Sequence, residues 1–428
     1  MTAIDALDAD WVLDSRAIPT VEVVVTLADG RSAFAQAPSG ASTGSHESLE
    51  RRDGDPEHFR GKGVRGAVSA VRHQIADRLR GMDVSTQEEI DRALVELDGT
   101  EDRSVLGANA MVAVSAACAR AGALSRGISL WRHLAGDRSP LIPLPMVNLF
   151  SGSLHASGGM GIQDVLVIPV GAPDLPAAME WVDDVYHAAA DLLRERGAST
   201  LVGDEGGFGA PSRSSEEAID LATQAIVRAG HRPGSQVAIA LDVAATHLVA
   251  SEGCYDLDGE VLETSQMIET IAGWVDRYPV VSVEDPLAED DWEGWALAAQ
   301  RLGPEVQLVG DDLLCTRVPR LERAASLGAA NTVLVKANQI GTLSEALAVA
   351  DRARSLGMGA VVSARSGETE DDWLADLAVA SGAGQIKVGS VARSERLAKY
   401  NRLLRISRSA DAPAWGGTGV LLRTPVPR

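Results

Sequence analysis

The stretch from 279 to 336 decides the fold. It contains PVVSVED (279–285), VQLVGDD (306–312) and NTVLVK (331–336), three short apolar runs that each end on a charge. Runs this apolar read as strands buried on both faces, as in a parallel sheet. Helix-length amphipathic segments separate them, so the repeating unit is βα. The pattern extends outward, upstream to DVLVIPVG (164–171) and QVAIALD (236–242), downstream to GAVVSARSG (359–367) and GQIKVG (384–389). No Gly-x-Gly-x-x-Gly opens a helix after the first strand, which counts against a dinucleotide-binding sheet. The number of units predicts a β/α-barrel.

Such barrels place their chemistry at the C-terminal strand ends. Those ends carry Asp242, Glu284, Asp311, Lys336, Arg365 with Ser366, and Lys387, and the loop VGDEGG (202–207) adds Glu205. Asp242, Glu284 and Asp311 make an oxygen-only ligand set that suits Mg²⁺. No His or Cys joins them, which disfavours Zn²⁺. Without a cation these carboxylates would repel one another, and some would protonate. A lysine close to a divalent cation would have its pKa lowered and would serve as a base. Arg365, Ser366 and Lys387 are donors for a phosphate or carboxylate. The combination reads as proton abstraction α to a carboxylate, on a small phosphorylated or phosphonylated substrate.

Ahead of residue 140 the pattern differs. Residues 21–37 alternate like a hairpin, the loop PSGASTGSHE (38–47) follows, and helical periodicity covers 63–81, 86–97 and 108–126. GDRSPLIPLP (136–145) has the prolines and turn residues of a connection. The expected organisation is an α+β N-terminal domain over 1–138 and a barrel over 139–428.

The 428 residues are 45% apolar, enough for two cores, and the formal charge is −21. That charge argues against sequence-independent nucleic-acid binding, which needs cationic phosphate contacts, and against an anionic membrane surface. The opening MTAIDALDADW lacks a cationic region followed by an apolar one. Cys118, Cys254 and Cys315 are too scattered for a disulfide framework or a metal motif. A cytoplasmic protein is expected. Only Lys62, Lys336, Lys387 and Lys399 are lysines among 39 cationic residues. Arginine cannot give up a proton near neutral pH, so the strand-end lysines 336 and 387 stand out. Lys62 and Lys399 read as survivors on a solvated face.

PSGASTG, VGDEGG, the VED and GDD strand ends, VKANQIGT, SARSGETED and GQIKVGS together resemble the motifs of enolase, in enolase order and over nearly the whole chain. The lysine base and metal-stabilised enolate are a pattern already described for enolase-superfamily sites in general. The resemblance implies a small N-terminal domain packed on a barrel whose first part departs from simple βα repetition. It implies homodimers or larger assemblies. It further implies that Asp242, Glu284 and Asp311 hold one Mg²⁺, and that Ser42 binds a second, arriving with substrate. Lys336 would be the base and Glu205 would assist departure of the β-hydroxyl. Lys387 would contact the substrate carboxylate, Arg365 and Ser366 the phosphate, with His155 nearby.

Several positions depart from the family. Ala364 stands where enolase has a histidine, and Asp164 where it has a glutamate. The covering loop reads SGSLHASGGMG (151–161), Ala337 follows the base lysine, and Ala17-Ile18 replaces a Gly-Asn pair. The first three changes gather around the leaving hydroxyl and the covering loop. Losing a positioned acid–base group typically costs about 10²–10⁴ in rate, and Ala364 with Gly158 and Gly159 adds room. The changes resemble those of a specialised enolase-like enzyme of natural-product pathways, and that resemblance implies a paralogue that forms carboxyphosphonoenolpyruvate from an activated phosphonoformate. An ordinary enolase acting on 2-phosphoglycerate and a non-catalytic binding protein are the alternatives.

Overall fold

In the computed structural model, residues 2–41, 43–152, 159–209 and 214–421 are described. The N-terminal part is built on an antiparallel sheet of β1 (Ile4–Leu13), β2 (Pro19–Leu27) and β3 (Ser32–Gln36). The hairpin expected over 21–37 is β2 and β3. Strand β1 is an addition that the sequence reading did not include. Only three of its residues, Ile4, Leu7 and Ala9, are buried, and acidic residues interrupt the alternation. Pairing with β2 along Ala6–Leu13 makes it a strand.

Two long helices follow, α1 (Gln87–Asp98) and α2 (Ala108–Arg126); α2 backs the sheet, and α1 packs on α2. The chain is also helical from 65 to 79, with a π turn at Val71–Ile75. Helix α2 is buried from Ala108 through Ala119. Its alanines, glycine and serine let neighbouring backbones come close, which larger side chains would prevent.

The barrel strands are β4 (Leu144–Ser151), β5 (Asp164–Ile168), β6 (Ala238–Asp242), β7 (Val280–Glu284), β8 (Gln307–Gly310), β9 (Thr332–Val335), β10 (Gly359–Ser363) and β11 (Gln385–Gly389). They pair in chain order, and β11 returns to pair with β4, closing eight strands. Leu166, Ile168, Ala240, Val309, Leu334 and Val361 pack together as a separate buried cluster. A small barrel of this kind is filled by side chains rather than open.

One expectation needs correcting. Residues 164–171 were expected to form a parallel strand. Strand β5 is instead antiparallel to both β4 and β6. Two helices then follow in succession, α3 (Leu175–Glu195) and α4 (Ser215–Arg228). The remaining strands β6 to β11 are each followed by a helix, the last being α5 (Ser394–Ser407). The barrel therefore opens as ββαα before its six βα units. Reversal of β5 puts its first residue, Asp164, at the same mouth as the last residues of the parallel strands.

Candidate active site

Strand register brings the carboxylates together. Ser151 pairs with Asp164, Asp164 with Asp242, and Asp242 with Glu284, in a row across β4 to β7. Asp285 continues the chain in a left-handed conformation, φ 40°. Its two carboxylate oxygens accept the N–H groups of Asp311 at 2.9 Å and Asp312 at 2.8 Å. That pair of bonds ties the end of β7 to the end of β8, and so fixes Glu284 relative to Asp311.

Two lysines complete the cluster. Lys387, on β11, donates to Asp242 Oδ2 and Glu284 Oε2, each at 2.6 Å. Lys336, just past β9, makes a short ion pair with Asp311. Gln339 donates to Asp311 Oδ1 at 2.9 Å, and Gln163 to Asp242 Oδ2 at 3.1 Å.

The electrostatics are those of crowded buried charge. Burial, then the neighbouring Asp242, pushes Glu284 up to about 8. Burial and Asp311 push Asp312 up to about 7. Burial likewise lifts Asp285 well above the carboxylate range, with Asp312 adding to it. Burial works against the charge of Lys387, but Asp242 and Glu284 outweigh it and hold the group well above the usual lysine range. Lys336 is also raised, because Asp311 outweighs burial. The lowered pKa expected for Lys336 assumed a divalent cation beside it; the carboxylate itself acts in the opposite direction.

Glu205, Asp242, Lys336, Arg365, Ser366 and Lys387 line one small polar cavity, with Gln163 and Ala364 also in its wall. Asp164 is not among the described residues lining it. It is wholly buried, and Ser151 Oγ donates to its Oδ1 at 2.6 Å. Ser42 and His155 lie outside the described residues. Arg365 donates to Glu47 Oε2 and to Asn338 Oδ1, both at 2.9 Å. Ser366 Oγ accepts the Ala41 N–H at 2.7 Å. Ala41 and Glu47 thus contact two residues that line the cavity.

Several residues here escaped the sequence reading. Asn148 donates to Glu205 Oε2 at 3.0 Å. Asn148 and Ser151 are polar residues in a strand whose eight positions are all buried, and that was a readable signal, since buried polar groups need partners. Glu47 ends a loop already singled out, and Asp285 follows Glu284, but no local pattern marks either. Lys399 requires a correction. It is fully buried rather than on a solvated face. Its Nζ lies 2.9 Å from Glu368 Oε2 and donates to the Thr369 carbonyl at 2.6 Å.

The donor set fits Mg²⁺. Asp242, Glu284 and Asp311 offer buried oxygens only, the chemistry that a hard divalent cation takes. The upward push on Glu284 is the strain that a cation would relieve. Among the described residues, the three carboxylates whose oxygens all lie within 4.8 Å of one another are Asp285, Asp311 and Asp312, not the Asp242, Glu284 and Asp311 expected from the sequence. The Asp285 oxygens, however, are committed to two backbone N–H groups.

Comparison with protein families gives two matches. The model described as the enolase N-terminal domain matches residues 4–134. The model described as the enolase C-terminal TIM barrel domain matches residues 139–419. No helix among the described residues is long and apolar enough to cross a membrane.

Proposed function

The chain belongs to the enolase family, and from that premise we propose that it is a Mg²⁺-dependent enzyme acting on a 2-phosphoglycerate- or phosphoenolpyruvate-like substrate. The observation that carries this reading is that Lys336 and Glu205 line one cavity together with Arg365, Ser366 and Lys387. A base, a second acid–base group and anion donors therefore face a single small space.

In this reading Asp242, Glu284 and Asp311 hold Mg²⁺, and Ser42 holds a second ion. The metal supplies electrostatic stabilisation of the charge that builds on the substrate carboxylate. Lys336 Nζ takes the proton α to that carboxylate. Lys387 orients the carboxylate, and its position between Asp242 and Glu284 keeps it charged. Arg365 and Ser366 bind the phosphate or phosphonate end, with His155 beside it. Glu205, held by Asn148, donates a proton to a departing β-hydroxyl. Burial of nearly all these groups excludes water, which strengthens each interaction.

The departures support a finer proposal. Ala364 in the cavity wall removes an imidazole, and Asp164 is turned to Ser151 instead of lining the cavity. Both changes weaken help for hydroxide departure. The protein is accordingly a specialised paralogue, similar to carboxyphosphonoenolpyruvate synthase, that takes an activated phosphonoformate as second reactant. A homodimer or larger homo-oligomer belongs to the same proposal.

The test is dehydration of 2-phosphoglycerate with Mg²⁺, followed by phosphoenolpyruvate absorbance. An Asp164→Glu, Ala364→His double variant runs alongside. Little turnover with Mg²⁺-dependent substrate binding intact supports the paralogue, and a nucleotide-activated phosphonate is then supplied. Turnover on the order of 10 s⁻¹ or more makes the chain an ordinary enolase. Absence of any Mg²⁺-dependent binding defeats both.

A further inference from the structure

Of the four lysines, Lys399 is the one with no part in the proposed reaction that is nonetheless fully buried. It sits on α5, three residues after Arg396, which is also fully buried. The two face the loop that follows β10. Arg396 donates to the Arg365 carbonyl at 2.6 Å and to the Val388 carbonyl at 3.1 Å, and it makes a short bond to the Ser366 carbonyl. Lys399 donates to the Thr369 carbonyl at 2.6 Å and pairs with Glu368 Oε2 at 2.9 Å. The other oxygen of Glu368 accepts the Arg365 N–H at 3.0 Å.

These contacts form a relay from Lys399 through Glu368 to the backbone of Arg365. A buried carboxylate with one oxygen on a cation and the other on a single amide has little freedom. A buried ammonium that meets a carboxylate and a carbonyl is held equally firmly. Arg396 pins the same loop by its carbonyls, so α5 grips residues 365–369 from behind while the Arg365 side chain and Ser366 face the cavity.

We propose that Lys399 is a positioning residue, acting through Glu368, that sets the anion-binding loop carrying Arg365 and Ser366. The inference rests on the reading of those two residues as donors for the phosphate or phosphonate end. It assigns Lys399 no contact with substrate. It also accounts for a lysine at this place: a compact ammonium on a thin stem fits between Glu368 and Thr369, whereas a planar guanidinium needs a wider fork.

The experiment compares the full-length protein with its Lys399→Met and Glu368→Gln variants. Two readouts are taken: the Kd of phosphoenolpyruvate at saturating Mg²⁺, and amide hydrogen exchange across 364–369. In either variant the Kd should rise about tenfold, since displacements near 1 Å at a site carry penalties of that order or more. Exchange across 364–369 should speed up on the order of tenfold, while the melting shift caused by Mg²⁺ alone stays as in the parent. A general structural role would weaken Mg²⁺ binding in parallel. If Lys399→Met does not fold, Glu368→Gln carries the test, since it keeps Lys399 on the Thr369 carbonyl and disturbs only the relay. A parent protein that binds no phosphoenolpyruvate defeats the substrate reading, and the exchange data then decide the positioning role alone. Unchanged Kd and unchanged exchange in a folded variant overturn the proposal.

Discussion

Glu47 and Arg365, 318 positions apart in sequence, form a buried ion pair at 2.9 Å that fastens the N-terminal part of the chain to the mouth of the barrel. Glu47 Oε1 also accepts the Gly44 N–H at 3.0 Å, so the pair sets the loop that precedes it. Arg365 is raised above the arginine range, because Glu47 outweighs burial.

Removing one partner of such a pair leaves an uncompensated buried charge, which costs about 3–5 kcal/mol. Glu47→Ala should therefore lower the free energy of unfolding by that amount in a urea titration. Adding Arg365→Met should recover part of the loss. Single losses that add to the double variant within about 0.5 kcal/mol would show that the two residues do not depend on one another.

Mg²⁺ should raise the melting temperature. A ligand that binds only the folded state at 100 times its Kd adds about 2.7 kcal/mol. Asp242→Asn should reduce that shift by removing one charged oxygen donor. The absence of a shift at millimolar Mg²⁺ in the parent protein would contradict both enzyme readings.

The strand ends were legible because physics leaves few reasons for a buried strand to finish on a charge. Asp242, Glu284, Lys336 and Lys387 needed nothing beyond the apolar runs before them. The helices over 87–98 and 108–126 followed from periodicity in the same way. What was hidden depended on partners distant in sequence. Strand β1 is a strand through β2, and the antiparallel placement of β5 against both its neighbours is more particular than the irregular barrel start that the resemblance implied. Lys399 is buried because Glu368, on a different element, meets it. A helix pattern in sequence gives the spacing of residues but not what faces them.

Asp91 gives stability a pH dependence. It is fully buried and accepts the Ser344 N–H at 2.9 Å, and burial pushes it up to about 6. An unfolded aspartate titrates near ~3.9. Between those values the folded protein binds more protons than the unfolded chain, so this group's contribution is fully present at low pH and is lost as pH rises through 6. The loss is on the order of 3 kcal/mol, about 1.4 per pH unit over two units. Asp91→Asn should remove that slope, so unfolding midpoints of parent and variant should diverge between pH 4 and pH 7. A constant difference across that range would rule out Asp91 as the source.

Ser151 and Asp164 should be coupled in the same physical sense. Both are wholly buried, and the hydroxyl donates to the carboxylate at 2.6 Å. Gly207 packs so tightly behind that a Cβ added there would lie 2.8 Å from Ser151 Oγ. Ser151 therefore has no room to move toward Gly207. An Asp164→Glu change inserts a methylene beside the fixed Ser151 hydroxyl, and overpacking of that kind costs about 1–3 kcal/mol. Ser151→Gly should relieve it, because it removes the hydroxyl against which the longer side chain presses. Thermal denaturation should thus find Asp164→Glu less stable than the parent, with much of the loss recovered in the Ser151→Gly, Asp164→Glu pair. The same pair, with Ala364→His added, should give more 2-phosphoglycerate dehydration than Asp164→Glu, Ala364→His alone, since a glutamate freed from Ser151 can extend toward the cavity. Equal stability and equal dehydration with and without Ser151 would mean that the serine merely sits beside the carboxylate and does not hold it.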